Sequence, residues 1–291
     1  MTSVPLPPIK DQITYVVVPH PDDEFSAWAL VEALPGDYLV FILCTQGEQT
    51  AMGDGHGLEA RFGEIVPQPQ PFTGKGTANL KAQRVYSWHG FLDTMAASDP
   101  HLDSPVSLGT LPSHVGSFDL RVGASTARAV FDLGDGQLTP EAVTGAIQAV
   151  RNVRERFEVA TEHAVIGAAY YNAHYPDAVV YTHPDHRAVH VALWGTDQGT
   201  PGPQWGRTAH TDPDAAARGR TDIIDAATYA TAMSVDPPPV DPATNPTAMR
   251  TGAVQRWYGW LAFEIGGYWP GDTGSTMSAP FNRSQTFWER F

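Results

Sequence analysis

Residues 13–44 read ITYVVVPHPDDEFSAWALVEALPGDYLVFILC, and this stretch decides the fold class. Ile13 to Val18 is an apolar, β-branched run that stops at Pro19, the pattern of a strand covered on both faces. Glu24 to Leu34 is apolar on several faces and is closed by Pro35-Gly36, which predicts a buried helix with its stop signal. Tyr38 to Cys44 is a second apolar run and predicts a second buried strand. Strand, helix and strand in so short a span form a βαβ unit, whose two strands run parallel through a right-handed crossover.

Outward from this unit the signals are uneven. Gln46 to Asn79 is rich in Gly, Pro, Gln and Thr without a period, and is read as a functional loop at the rim of a site. Leu80 to Ala97 reads as helical, and Leu108 to Gly136 as strands and loops. Thr139-Pro140-Glu141 opens the clearest helix of the chain. A Thr cap, a proline at the first helical position and an acid in the first turn precede Val143, Ile147, Val150 and Phe157 on one face. Ala178 to Tyr181 is a short strand candidate, with a helix over Arg187 to Trp194. Thr196 to Asp222 reads as loop, Ile223 to Met233 as helix, Val235 to Pro246 as a proline-rich excursion, and the aromatic-dense Trp257 to Trp269 as strand. No internal repeat is present. The expected fold is α/β: one doubly wound, mostly parallel sheet with long loop insertions, a single domain over 1–291. Its core spans about 13–195, with 196–291 as a C-terminal elaboration.

Composition narrows the function classes. Lys and Arg number 18 against 32 Asp and Glu, a net charge of −14, which disfavours a phosphate backbone as partner, so no nucleic acid is expected. A hydrophobic fraction of 42% argues for a packed core rather than disorder. No run approaches the ~20 apolar residues of a membrane span, so no membrane partner is expected. Met1 to Lys10 lacks a signal-peptide pattern, and the lone cysteine, Cys44, lies at the end of a buried strand, so the expected location is cytoplasmic. The oligomeric state is left open.

Two segments carry the chemistry, each placed after a predicted strand where open α/β sheets hold their ligands. The first is Pro19-His20-Pro21-Asp22-Asp23-Glu24 and the second Thr182-His183-Pro184-Asp185-His186. Across the proline-fixed turn, His20 and Asp23 can reach one cation, while Asp22 stands beside it. His183 and His186 have the same spacing, with Asp185 between them as an anchor that holds a ligand in place. Two ligands from one loop and one from the other give the three protein ligands of a catalytic zinc with an open position for water. Asp22 is then the base for that water. A protonated His183 could stabilise an oxyanion or protonate a leaving amine. These donor types do not choose among Zn²⁺, Fe²⁺ and Co²⁺. Taken singly, each segment also has a structural explanation, because acids suit helix N-termini and His-Pro pairs occur in turns. Their pairing at matching places in the sheet favours a shared site.

His20-Pro21-Asp22-Asp23-Glu24 with His183-Pro184-Asp185-His186 resembles the signature pair of the zinc-dependent N-acetylglucosaminyl deacetylases, the family named for phosphatidylinositol-glycan class L (PIG-L) and LmbE proteins. Asp132-Leu133-Gly134-Asp135-Gly136 resembles the family's Gly-Asp-Gly stretch, and Cys44-Thr45-Gln46-Gly47-Glu48 its second-strand end. The resemblance runs with interruptions from Ile13 to Leu193. It implies a Rossmann-like sheet carrying zinc on His20, Asp23 and His186, with Asp22 as general base, His183 as electrostatic or acid partner, and Asp185 and Glu24 in support. It further implies hydrolysis of the N-acetyl amide of a GlcNAc-type sugar or conjugate, a small-molecule substrate. The family's Arg-x-x-Glu helix lacks its acid here. Lys81 and Arg84 are the candidates for its arginine position, so substrate contacts are assigned to Arg84 and Asp135. Two alternatives stay open: a metal-dependent amidase tailoring a secondary metabolite, and a metal-containing protein used only for binding. His190 is read as a core or supporting histidine, His163 and His174 as structural or exposed, and His56 as an exposed loop residue. The aromatic run at Trp257 is either a stacking face or core.

Overall fold

The computed structural model describes residues 10–49, 76–171, 183–208, 231–235, 257 and 285–290. Strand β1 (Gln12–Val18) leads through a 3-10 turn over Glu24–Ala27 into helix α1 (Trp28–Ala33) and strand β2 (Asp37–Leu43), as the opening stretch predicts. Helix α2 (Ala78–Ala96) is followed by β3 (Val106–Leu111), β4 (Phe118–Val122) and β5 (Thr126–Phe131). Helix α3 (Pro140–Arg151) starts where the Thr-Pro-Glu signal places it, with the Thr139 side chain accepting from the Ala142 amide. Strand β6 (Glu162–Tyr171), helix α4 (Pro184–Gly195) and strands β7 (Gln204–Thr208), β8 (Thr231–Val235) and β9 (Gln285–Arg290) complete the described elements.

One nine-stranded sheet in the order β3-β4-β5-β2-β1-β6-β7-β9-β8 organises the chain. The inner five strands, β5-β2-β1-β6-β7, are all parallel. Antiparallel pairs β3/β4 and β9/β8 flank them. The fold is a Rossmann-like doubly wound α/β fold, with the order reversing at β1: β2 lies on one side and β6 on the other. Period-two alternation distributes the side chains. Ile13, Tyr15, Val17, Tyr38, Val40 and Ile42 pack beneath α3 and α4, whereas Val16, Val18, Leu39, Phe41 and Leu43 face α1 and α2. Helices therefore cover both faces, which explains why β1 and β2 read as continuous apolar runs.

Several expectations are corrected. The stretch 196–222, read as loop, contains β7; residues 231–233, read as helix, belong to β8. Strands β6 and β9 were not expected, and the C-terminal part adds three strands to the central sheet rather than decorating it. Helix α3 stops at Arg151, so Phe157 lies beyond it; the ring still reaches the same core and stacks on Tyr38 at 5.6 Å. Trp257 is helical and buried against Gly90, not part of a strand. Residues 178–181, most of the Gln46 to Asn79 loop, 236–246 and 258–269 lie outside the described residues, as do His56 and His174. No described helix is long and apolar enough to cross a membrane.

Candidate metal and catalytic site

The site assembles at the C-terminal ends of β1, β2 and β5 and at the start of α4, beside the point where the strand order reverses. Leaving β1, the chain runs alongside the end of β2: the Cys44 amide donates to Val18 O at 2.8 Å, and the Thr45 hydroxyl donates to Pro19 O at 2.8 Å. Cys44 itself is buried, and burial raises its thiol pKa, so it is an inert core residue as read from sequence.

His20, Asp23 and His186 converge. One oxygen of Asp23, Oδ2, lies 3.1 Å from His20 Nδ1 and 3.1 Å from His186 Nε2. The donor atoms of these three buried residues all lie within 4.8 Å of one another. The other edge of the His20 ring faces more carboxylate, with Nε2 at 2.9 Å from Asp185 Oδ2 and 3.2 Å from Asp135 Oδ1. His20, Asp135, His183 and Asp185 thus form a second group of donors sharing His20. Burial opposes a charge on His20, yet hydrogen bonds to Asp135, Asp185 and Asp23 outweigh it and raise its pKa well above the usual histidine value. Burial likewise opposes charge on Asp23, while His186 and His20 hold its carboxyl well below the carboxylate range. Asp23, Asp135 and Asp185 thus surround the His20 ring with carboxylate. Buried imidazoles and carboxylates in that arrangement fit a divalent cation.

Asp22 sits beside this cluster with φ of 112°, in the left-handed region, where it is the one described non-glycine residue. Its amide donates to Glu24 Oε2 at 3.0 Å, and its carboxylate Oδ2 meets Arg84 Nη2 at 3.2 Å. Burial pushes the Asp22 carboxyl up to about 7, against the pull of the Arg84 guanidinium. Glu24 is fully buried and holds the turn through the Asp22 amide.

The distal segment is built on a helix N-terminus. His183 caps α4 through Nδ1, which accepts the Asp185 amide at 3.3 Å, and Pro184 follows in the first turn. The acceptor role at Nδ1 leaves the proton of a neutral ring on Nε2. The His183 ring stands edge-on to His20 with centroids 4.5 Å apart. A protonated His183, as the sequence suggested, is disfavoured here: burial first, then the charges of His20 and His186, push its pKa down to about 4. Asp185 is fully buried. Its two oxygens accept the amides of Gly136 at 2.8 Å and Leu138 at 3.0 Å while also meeting His20, so it orients that ring.

The structure draws Arg84 and Asp135, both assigned to substrate from sequence, into the fabric of the site. Asp135 lies 5% exposed between His20 and the Gln49 amide, which donates to its Oδ2 at 2.6 Å. Arg84, 4% exposed, donates to Pro21 O and Gly47 O besides meeting Asp22. Lys81, the other candidate for the arginine position, bridges Glu48 and Asp132 instead. His190 is a core histidine: its Nε2 bonds Ala169 O at 2.8 Å and its Nδ1 accepts from Trp288 at 3.1 Å. His163 pairs with Asp37 near the opposite, N-terminal ends of β1 and β2. Sequence reasoning missed Asp135 as part of the donor cluster. Its signal was the flanking Gly134 and Gly136, whose φ values of 88° and 80° fold a tight turn that aims both the Asp135 carboxylate and the Gly136 amide inward.

No family model matches the chain, and no curated protein matches it. Among solved structures it is similar to a triple mutant of a deacetylase involved in the teicoplanin biosynthetic pathway, at 13% identity and a TM-score of 0.47, covering 96% of this chain and 97% of the other. It is also similar to a deacetylase in complex with bog from the biosynthesis pathway of teicoplanin, at 14% identity and a TM-score of 0.45 with the same coverage.

Proposed function

We propose that the chain is a zinc-dependent amidohydrolase that removes acetate from an N-acetylated amino sugar of the GlcNAc type, free or conjugated. The observation that carries the reading is the convergence of His20, Asp23 and His186 donor atoms within 4.8 Å, with Asp22 held beside them in a strained conformation. Hydrolase chemistry needs a base next to an open cation position, and a binding protein does not. The resemblance of the His20 and His183 segments to the PIG-L and LmbE deacetylases supports the choice of N-acetyl amide and sugar.

His20, Asp23 and His186 would hold the ion; Fe²⁺ or Co²⁺ would satisfy the same donors. When bound it supplies Lewis acidity at the amide carbonyl and a water acidified toward neutral pH. Asp22 takes the proton of the attacking water and delivers it to the amine nitrogen as the C–N bond breaks, giving acetate and the free amine. His183, neutral with its proton on Nε2, donates a hydrogen bond to the oxygen that gains charge in the transition state. Asp185 keeps His20 aimed, and Asp135 adds negative charge behind it. Acetate release from GlcNAc, its α-glycosides and other N-acetyl hexosamines, followed with the protein as purified and after zinc loading, tests the assignment. Zinc-stimulated acetate release is expected. A zinc-loaded protein that cleaves other amides and leaves all N-acetyl sugars intact would overturn the substrate class.

A further inference from the structure

We propose that Arg84 is a positioning residue for Asp22 rather than a substrate anchor, and that residue 47 is glycine because this latch occupies the space of its side chain. The inference rests on Asp22 acting as the base. Arg84 projects from α2 into the gap between two loops that belong to different strands. Its Nη2 donates to Pro21 O at 2.7 Å and meets Asp22 Oδ2 at 3.2 Å, gripping the turn after β1. Its Nη1 donates to Gly47 O, gripping the chain beyond β2. One planar guanidinium thus fixes three acceptors on two loops, a geometry that a lysine ammonium cannot copy.

The grip coincides with backbone strain. Asp22 has φ of 112°, and its conformation persists because Arg84 holds the carboxylate and the preceding carbonyl while Glu24 holds the amide. Gly47 has φ of 66°, and a Cβ placed there would stand 2.4 Å from Arg84 Cζ. Since the guanidinium is packed at 4% exposure, a methyl group at position 47 must displace it or the loop. Substitution at either end of the latch therefore releases the same carboxylate.

The test compares wild type, Arg84→Gln, Arg84→Lys and Gly47→Ala, using zinc affinity by chelator competition, acetate-release kinetics on GlcNAc, and hydrogen exchange over residues 18–24 and 44–48. In Arg84→Gln, kcat is expected to fall about 100-fold, with KM and zinc affinity changed less than about threefold, because misplacing a base costs turnover without costing ground-state binding. Arg84→Lys should recover only part of kcat, and Gly47→Ala should reproduce the kcat loss with the arginine still present. A raised KM with unchanged kcat would make Arg84 a substrate anchor and overturn the proposal. Zinc lost in step with activity would overturn it equally. If wild type releases no acetate from any N-acetyl sugar, the deacetylase reading falls by itself. The latch is then judged by exchange: faster exchange in both segments at unchanged zinc affinity upholds it, and unchanged exchange refutes it. Should Arg84→Gln fail to fold, Arg84→Lys and Gly47→Ala carry the same readouts.

Discussion

Asp185 is a carboxylate whose two oxygens are both committed within the protein. Fully buried, it takes two backbone amides from the turn after β5 and turns its remaining capacity on His20. Replacing it by Asn swaps an acceptor for a donor either against Gly136 and His20, which share Oδ2, or against Leu138 at Oδ1, so zinc affinity in Asp185→Asn should fall about 10- to 100-fold, readable by chelator competition. A second residue prediction concerns His89, whose pKa is pushed down to about 3 by burial and then by the charges of Arg121 and Arg128. Below the ordinary histidine pKa of about 6.5 the unfolded chain binds a proton that folded His89 refuses. Its contribution to stability is therefore complete above that pH and is lost as pH falls toward 3. Thermal melts of His89→Gln should show a shallower loss of Tm between pH 6.5 and 4 than wild type; an identical slope would assign the acid sensitivity elsewhere. At this scale the convergence of His20, Asp23 and His186, with Asp22 and Asp185 beside them, was legible because all lie in two short segments that follow predicted strands. Asp135 and the true partners of Arg84 were not, because those contacts join residues far apart in the chain.

Elements with local signals were read correctly, and those defined by partners were not. The β1-α1-β2 unit and α3 announce themselves through apolar runs, caps and stop residues. In α3 the Thr139 cap should contribute about 1 kcal/mol, so Thr139→Ala should lower Tm in a urea or thermal melt without altering zinc binding. Strand β6, EHAVIGAAYY, is rich in Ala and Gly and shows weak strand propensity on its own; it is a strand because β1 and β7 pair with both its edges. Strand β9 is similar. It lies near the end of the chain and is held by Trp288, fully buried, which packs edge-on to Trp194 at 4.7 Å and donates to His190. Trp288→Ala removes that packing and should destabilise the protein by about 3–5 kcal/mol. A melt within error of wild type would mean that β9 is not integral to the sheet.

Across the whole molecule, the sheet explains why two distant segments form one site. The order reverses at β1, so the chain leaving β1 opens into a crevice flanked by the turn after β5 and by the N-terminus of α4. Fold class followed from the first βαβ unit, whereas the antiparallel margins and the inclusion of β7, β8 and β9 depend on long-range pairing that no local pattern encodes. On the proposed zinc assignment the buried donors also couple metal to folding. Zinc at about 100 times its Kd should add about 2.7 kcal/mol to stability, so Tm should rise with zinc and drop with chelator, and Asp23→Asn should abolish that response.

The most direct measurement pairs zinc content with acetate release from GlcNAc and its α-glycosides, for wild type beside Asp22→Ala. Zinc near one per chain in both proteins, with acetate released by wild type and turnover reduced at least about 100-fold in the variant, is the expected result. Full activity in Asp22→Ala with zinc bound would contradict the role of Asp22, and a wild-type protein that binds no divalent metal would contradict the site itself.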